Sequence, residues 1–364
     1  MDEFASIRHW TADRQGENWQ QRRGVVRGIG DDTAVVDAAL AEDGVASPKR
    51  LLLAVDTMVE TVHFKQSTMR DEDVGYKALA ANISDIAAMG GMPLHALVSV
   101  SVPPAYTPER MRRLYDGLYE CAERYGVAIV GGDTTSSPGQ LVVAVTVTGT
   151  VEAGRELLRS GAKPGDAVFV TGAVGKSAAG LHALLAQERE QRAGERLSPA
   201  EFSGTGEELL VLAHQRPNPS VRAGRLLQEC GSCRSLNDVS DGLASEAWEI
   251  AEASKLRLVL NEALLPRSGS LAAYAAKVGI DPLEWMLYGG EDYVLLGTMD
   301  SQDADGMRAV FHEEGLPFFI IGETEEGEPG VVLASGSQSQ GDKRGPSTHS
   351  CRRIELKKRG YNHF

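Results

Sequence analysis

Two adjacent aspartates, Asp31 and Asp32, sit in the stretch Gly28-Ile29-Gly30-Asp31-Asp32-Thr33-Ala34-Val35-Val36, between a glycine-rich turn and an apolar run that reads as a strand. No lysine or arginine lies inside the stretch, and Arg27 is the only one beside it. Carboxylates placed side by side repel, which raises one pKa or calls for a cation. Further acids recur along the chain: Asp56 after Leu51-Leu52-Leu53-Ala54-Val55, Asp85 in Asn82-Ile83-Ser84-Asp85, and Asp133 in Gly131-Gly132-Asp133-Thr134-Thr135. Asp238 and Asp241 follow in Asn237-Asp238-Val239-Ser240-Asp241-Gly242. Each ends an apolar run or sits beside an apolar helix stripe, at the edge of a core where an unpaired charge is costly. Singly, an aspartate beside a glycine is a turn residue or a helix cap. Together, the acids read as a carboxylate cage for hard divalent cations, with Mg²⁺ the expected ion.

The elements that must hold these acids alternate between strand and helix. The run Leu51 to Val55 suits a buried strand that delivers Asp56. The spacing predicts a helix over Asp73 to Met89, with Leu79, Ile83 and Ile86 as its stripe, Gly90 as its stop, and Asn82 and Asp85 on one face. Leu94 to Val102 reads as a strand. Thr107-Pro108-Glu109 supplies an N-cap, an N1 proline and a first-turn acid for a helix running to about Tyr125. Val127 to Val130 is a strand delivering Gly131-Gly132-Asp133, and Leu141 to Thr150 alternates as another. The pattern changes near residue 160, at the turn-rich joint Gly161-Ala162-Lys163-Pro164-Gly165-Asp166. Beyond it strands are expected at Ala167–Thr171, Ser235–Val239, Leu256–Leu260, Tyr293–Thr298 and Phe318–Gly322. Helices are expected at Gly175–Gln187, Gly242–Ser254, Ser268–Val278 and Gln302–Glu314. Residues 1 to 27 read as a helix plus a loop, 188 to 206 as a charged insertion, and 335 to 350 as a low-complexity loop. The expectation is an α/β (α+β) chain of two domains, 1–152 and 153–364, with the acids at strand ends facing a cleft between them.

A chain of 364 residues can bury a large core in two domains. A formal net charge of −14 argues against a dedicated nucleic-acid or anionic-membrane binder. It does not argue against an anionic substrate, because metal ions bridge acid to phosphate. No apolar run reaches membrane-spanning length, and Met1-Asp2-Glu3-Phe4 lacks a signal-peptide pattern, so a cytoplasmic location is expected. Cys121, Cys230, Cys233 and Cys351 are too few for a disulfide framework. The lone Cys230-Gly231-Ser232-Cys233 reads as incidental thiols before it reads as a zinc or redox pair. Thr171-Gly172-Ala173-Val174-Gly175-Lys176-Ser177 is not a P-loop, because Val170 stands where the first glycine belongs. It reads as a strand-to-helix turn whose helix start attracts an anion weakly at most.

The acids and their neighbours resemble the thiamine-monophosphate kinases, of the superfamily that includes aminoimidazole ribonucleotide synthetase and selenophosphate synthetase. The resemblance spans nearly the whole chain: GIGDDTA at 28–34, VDTMVETVHF at 55–64, GYKALAANISDIAAMG at 75–90, GGDTT at 131–135, RSGAKPGD at 159–166, TGAVGKSAAGL at 171–181, RPNP at 216–219, NDVSDGL at 237–243, YGGEDY at 288–293 and GYNHF at 360–364. It implies a two-domain aminoimidazole ribonucleotide synthetase-like fold whose N-terminal sheet pairs two copies into a homodimer. It implies transfer of the γ-phosphoryl of ATP to thiamine monophosphate, giving thiamine diphosphate, with ATP and several Mg²⁺ ions between the domains. By motif, Asp31, Asp56, Asp85, Asp133, Asp238 and Asp241 look like metal ligands. Gly132, Asp133, Arg159 and Ser240 look like ATP contacts. His63, Glu291 and Tyr361 look like substrate contacts, with Glu291 toward the cationic thiazolium and Tyr361 toward a ring face.

The sequence departs from the family pattern at Ala54 and Val55, where hydroxyl residues are common, and at Thr61, where glycine is common. A sister ATP-dependent synthetase is the rival enzyme reading, but the reactive N-terminal cysteine of the selenophosphate enzymes has no counterpart, since Cys121 comes first and inside a helix. A non-catalytic nucleotide or thiamine-phosphate sensor is the rival outside catalysis. No Ser-His-Asp arrangement stands out, and phosphoryl transfer to an ionised phosphate needs none, so direct transfer without a phosphoenzyme is expected.

Overall fold

The computed structural model describes residues 25–27, 31–36, 48–192, 206–335 and 352–360, with Asn18 and Gln21 besides. Gly28, Ile29, Gly30 and Tyr361 lie outside the described residues, as do nearly all of the expected N-terminal helix, the 193–205 part of the insertion and the loop from 336 to 351.

The N-terminal half is a six-stranded sheet in the order β1-β2-β3-β6-β4-β5. Its strands are β1 (Val25–Arg27), β2 (Ala34–Val36), β3 (Lys49–Val59), β4 (Met92–Val102), β5 (Ala128–Ser136) and β6 (Val142–Glu152). β3 and β6 pair antiparallel from Lys49↔Glu152 to Val59↔Val142. In β6 every second residue is buried, among them Val143, Val145 and Val147, so one face of the sheet carries the core and the other stays open. Both β3 and β5 run further than the apolar runs suggest. Asp56 and Asp133 therefore lie within strands rather than just past them.

Helix α1 (Asp71–Ala88) covers the core face, and α2 (Pro108–Tyr125) packs across α1. Two glycines permit that crossing: a Cβ at Gly75 would overlap the Leu114 carbonyl, and one at Gly117 the Glu72 carbonyl. α2 begins as the sequence predicts, with Thr107 Oγ1 accepting from Arg110 N and proline at the first turn, and ends at Gly126 with φ 68°. α1 is buried on nearly every side rather than along one stripe. The reason is that the C-terminal half covers what the sheet and α2 leave open.

That half is a seven-stranded sheet in the order β13-β12-β9-β11-β7-β10-β8. Its strands are β7 (Ala167–Val170), β8 (Cys233–Asp238), β9 (Arg257–Asn261), β10 (Leu295–Met299), β11 (Phe319–Glu325), β12 (Gly330–Ser335) and β13 (Arg352–Glu355). Its helices are α3 (Lys176–Arg192), α4 (Glu207–Gln215), α5 (Val221–Cys230), α6 (Leu243–Ser254), α7 (Gly269–Val278), α8 (Pro282–Tyr288) and α9 (Ala304–Glu313). β7 is buried on both faces: Val168 and Val170 join one core cluster, Ala167 and Phe169 the other. This is why it reads as an unbroken apolar run. The mixed α/β chain with two sheets bears out the expected fold class. Helices α4, α5 and α8 and strands β12 and β13 were not legible in advance, and Val25–Arg27, expected to fall in a helix plus a loop, forms strand β1 by pairing with β2. α8 is short, β12 is a brief apolar run, and β13 is an exposed charged segment ordered by pairing with β12.

α1 is the element both halves share. A Cβ at Gly224 of α5 would overlap the Ala87 carbonyl of α1. Arg216 Nε meets Asp73 of α1 at 2.7 Å, Gln215 Nε2 donates to the Thr68 carbonyl at 2.7 Å, and Arg225 Nη1 meets Glu152 at 2.8 Å.

Candidate active site

A cleft of about 610 Å³ opens where β3, α1 and the C-terminal half meet. Asp56 of β3, Asp85 of α1, Asp238 at the end of β8 and Asp241 three residues on contribute its carboxylates. Val62, His63, Ala178 and Leu181 contribute a largely apolar wall, and Ser240 and Glu291 also face it.

Asp32, Asp85 and Asp238 each offer a carboxylate oxygen within 4.8 Å of the others. Asp238 is pushed up to about 8, first by burial and then by the charge of Asp32. Asp85 is also raised, by burial and then by Asp56 and Asp238, and Asp31 rises to about 6 through burial and Asp32. Ser84 Oγ donates to Asp238 Oδ2 at 2.6 Å. Asp32 Oδ1 accepts from Arg159 Nη2 at 2.5 Å, while its Oδ2 is buried with no hydrogen-bond partner among the described residues. An orphaned carboxylate oxygen beside two more carboxylates is an all-oxygen donor set, and it fits a hard divalent cation.

The other sequence-predicted residues spread around this cluster. Asp31 Oδ1 accepts from Arg159 N at 3.1 Å, so within the Asp31-Asp32 pair it is Asp32 that joins the gathered acids. The guanidinium of Arg159 also reaches Asn237 Oδ1 at 3.3 Å and Glu249 at 3.8 Å. Asp133 and Gly132 lie on the exposed edge strand β5, Asp133 opposite Ser99, and neither lines the cleft. A Cβ at Gly132 would overlap the Val98 carbonyl, a close approach that accounts for glycine there without a ligand. His63 faces the cleft with Nδ1 accepting from Val59 N at 3.0 Å. Asn82, expected to share a cleft face with Asp85, is buried and accepts from Asp56 N at 2.9 Å, tying α1 to β3.

Several groups escaped the sequence reading. Glu246 of α6 is buried, and it accepts from Asn237 Nδ2 at 2.5 Å and Asp241 N at 3.0 Å, so it sets the turn carrying Asp238 and Asp241. Asp292 accepts from Gly175 N and Ser177 N, and burial lifts it to about 7. It occupies the start of α3 with a carboxylate of the chain itself, where a phosphate cradle would need free N–H groups. Lys77 and His214 flank Glu291, whose pKa is held at about 2: burial opposes the charge, and Lys77 and His214 together outweigh it. A glutamate in the first turn of a helix reads as an ordinary N-terminal acid, and a lysine in an apolar helix carries no sequence signal of such partners.

Fold and cleft together define a two-domain protein of the AIR synthase related class. Residues 30–151 match the family model for the AIR synthase related protein N-terminal domain, and residues 163–334 the one for its C-terminal domain. The thiamine-monophosphate kinase of Bacillus subtilis (strain 168) is 41% identical over 93% of this chain and 93% of its own. That of Aquifex aeolicus (strain VF5) is 34% identical over 82% of this chain and 87% of its own. A solved structure, AaThiL complexed with AMPPCP and TMP, matches with a TM-score of 0.76 at 31% identity, covering 100% of this chain and 97% of that one. The chain belongs to the thiamine-monophosphate kinase family, and it is accordingly an enzyme of the kinase class.

Proposed function

We propose that the enzyme transfers the γ-phosphoryl group of ATP to the phosphate of thiamine monophosphate, releasing ADP and thiamine diphosphate. An acceptor phosphate oxygen forms the new P–O bond as the bond to the β-phosphate oxygen breaks. The acceptor is already ionised at neutral pH, so no general base is required, and in-line transfer without a phosphoenzyme suffices. The observation that carries this reading is the gathered set Asp32, Asp85 and Asp238, each raised in pKa, with Asp85 and Asp238 lining a cleft that has an apolar wall.

Asp32, Asp85 and Asp238 would hold Mg²⁺, with Asp56 and Asp241 beside them and Asp31 and Asp133 as further candidates. Bound there, the ions supply charge neutralisation for two anions brought together. Ser240, Arg159, Gly132 and Asp133 are assigned to ATP, with Arg159 acting by holding Asp31 and Asp32 in place. His63 and Glu291 are assigned to thiamine monophosphate, and the same role is proposed for Tyr361. The binding of an ATP analogue and TMP to the homologue AaThiL supports both substrate assignments.

A homodimer through the N-terminal sheet belongs to the same reading. Val55 and Leu97, 63% and 47% exposed, flank Thr146 across the open face, an apolar surface suited to a second copy. A cytoplasmic location is proposed as well. Among the described residues no helix is long and apolar enough to cross a membrane.

The deciding assay supplies purified enzyme with ATP, Mg²⁺ and either thiamine monophosphate or free thiamine, and reads thiamine diphosphate by chromatography. Product from the monophosphate alone is expected, because the monophosphate brings a phosphate that metal ions held by the carboxylates can align with the γ-phosphoryl group, and free thiamine offers only a neutral hydroxyl. Equal rates with free thiamine, or product only with an amide-bearing purine precursor, would overturn the reading.

A further inference from the structure

We propose that Lys77 is a positioning residue that acts through Glu291: it is the counter-charge that sets this carboxylate as a hydrogen-bond acceptor for the phosphoryl acceptor. The inference rests on the kinase reading above and names a residue that reading does not use.

Lys77 lies on α1 in the N-terminal half, with its side chain 1% exposed. A lysine so placed must be neutralised or shed its proton. Its Nζ stands 2.7 Å from Glu291 Oε1, but no described group meets that nitrogen with hydrogen-bond geometry, so the contact is ionic. Glu291 belongs to the C-terminal half, lines the cleft, and keeps 28% of its side chain exposed there. Its other oxygen lies 3.3 Å from Nδ1 of His214, which also meets Ser177 Oγ at 3.1 Å. A carboxylate at Nδ1 requires the ring proton on Nδ1, and Nε2, buried and without a partner among the described residues, fits the bare lone pair of that neutral tautomer.

The backbone of Glu291 is fixed as tightly as its side chain. It takes φ 64°, a conformation that ordinary residues avoid, and its N–H donates to the Ser240 carbonyl at 2.6 Å. Carboxylate, ammonium and neutral imidazole therefore form one assembly with no net charge, contributed by α1, α4 and the turn after α8. What it shows the cleft is an oriented acceptor oxygen, not an unspent negative charge. This revises the expectation that Glu291 faces the thiazolium as its counter-ion. An N–H donor on the acceptor, such as an aromatic amine, is the group it would read.

The test compares Lys77→Met, Glu291→Gln and the double variant, measuring KM for thiamine monophosphate, KM for ATP and kcat. Calorimetric titration with thiamine monophosphate supplies a readout independent of turnover. Lys77→Met is expected to raise the acceptor KM about tenfold while moving the ATP KM less than about twofold. Because Lys77 acts through Glu291, the double variant should bind the acceptor no worse than Glu291→Gln alone. If Lys77→Met fails to fold, the double variant, which removes both charges, carries the comparison: equality with Glu291→Gln supports the proposal, and weaker binding overturns it. An unchanged acceptor KM, or two KM values that rise together, also overturns it. Wild-type enzyme that binds and turns over no thiamine monophosphate overturns the functional reading and this one with it. Wild-type activity with any of the adverse variant results overturns this one alone.

Discussion

Replacing Asp238 by asparagine should make the metal-free enzyme more stable while abolishing its activity. Asp238 is 2% exposed, and its pKa rises from 3.8 to about 8 through burial and then the charge of Asp32. Below about pH 4 the folded and unfolded chains both hold the proton, and the site imposes no penalty. Between about pH 4 and pH 8 only the folded chain holds it, so stability falls as pH rises. Taken alone, a shift of that size is worth about 6 kcal/mol by its upper end, at about 1.4 kcal/mol per unit. The neighbouring acids share the strain, so removing one carboxylate recovers a fraction of it, about 1–3 kcal/mol. For a chain of this length that is a rise of about 1–4 °C in Tm. Asparagine keeps an oxygen to accept from Ser84 Oγ, so the 2.6 Å bond from α1 survives the change. The assay is thermal unfolding of chelator-treated wild type and variant at about pH 5 and about pH 8, with and without Mg²⁺, beside turnover. The expected pattern is a variant advantage that grows with pH, Mg²⁺ stabilisation strong in wild type and weak in the variant, and turnover lower by about a hundredfold or more. A variant no more stable than wild type at the higher pH, or one stabilised equally by Mg²⁺, would refute the idea that the acids are held against their own repulsion for a cation.

Three other outcomes follow from named contacts. Arg216→Ala removes one of the two arginines on Asp73, whose side chain is fully buried, and should lower stability by about 2–3 kcal/mol in urea titration. Thr61→Gly relieves a non-glycine residue at φ 74° and should raise Tm, gaining about 1 kcal/mol, although it gives up the 2.9 Å bond that Gln140 Nε2 donates to the Thr61 hydroxyl. Leu97→Glu puts a charge on the open face of the N-terminal sheet and should shift light scattering from the proposed dimer toward monomer without unfolding the chain, since Leu97 is 47% exposed; a wild type that already scatters as a monomer refutes the proposed pairing.

The sequence made the acids legible because carboxylates at the ends of apolar runs are conspicuous, and the order of motifs made the family legible. It could not decide between neighbours. Asp31 and Asp32 differ by one position, and the choice between them depends on Arg159, which lies 127 residues from Asp32 along the chain and donates its backbone N–H to one and its guanidinium to the other. The apolar stripe of α1 was visible, but its total burial was not, because the covering surface comes from α5 and β8, far along the chain. For the same reason Asn82 read as a cleft residue. Its amide instead accepts the Asp56 N–H, a demand set by where β3 passes. The P-loop question was decided by counting residues, yet only the structure shows why the turn works without a phosphate: Asp292 already receives the N–H groups that a ligand would need.

Several acids at the cleft are steadied by residues from elsewhere in the chain, and two of these pairings cross between the halves. Ser84 of α1 reaches Asp238 of the C-terminal sheet, Lys77 of α1 reaches Glu291, and Arg159, in the segment joining β6 to β7, reaches Asp31 and Asp32. Lys77, Ser84 and Asp85 stand seven and eight positions apart, so they project from one side of the same helix. That side is where the two halves meet. Mutually repelling carboxylates at the boundary between two sheets push the halves apart, and partners that reach across the boundary oppose that push. α1 supplies two of those partners and one of the acids. The burial of this helix on nearly every side, which no single-domain amphipathic pattern would demand, is therefore a condition for the cleft and not only for the core.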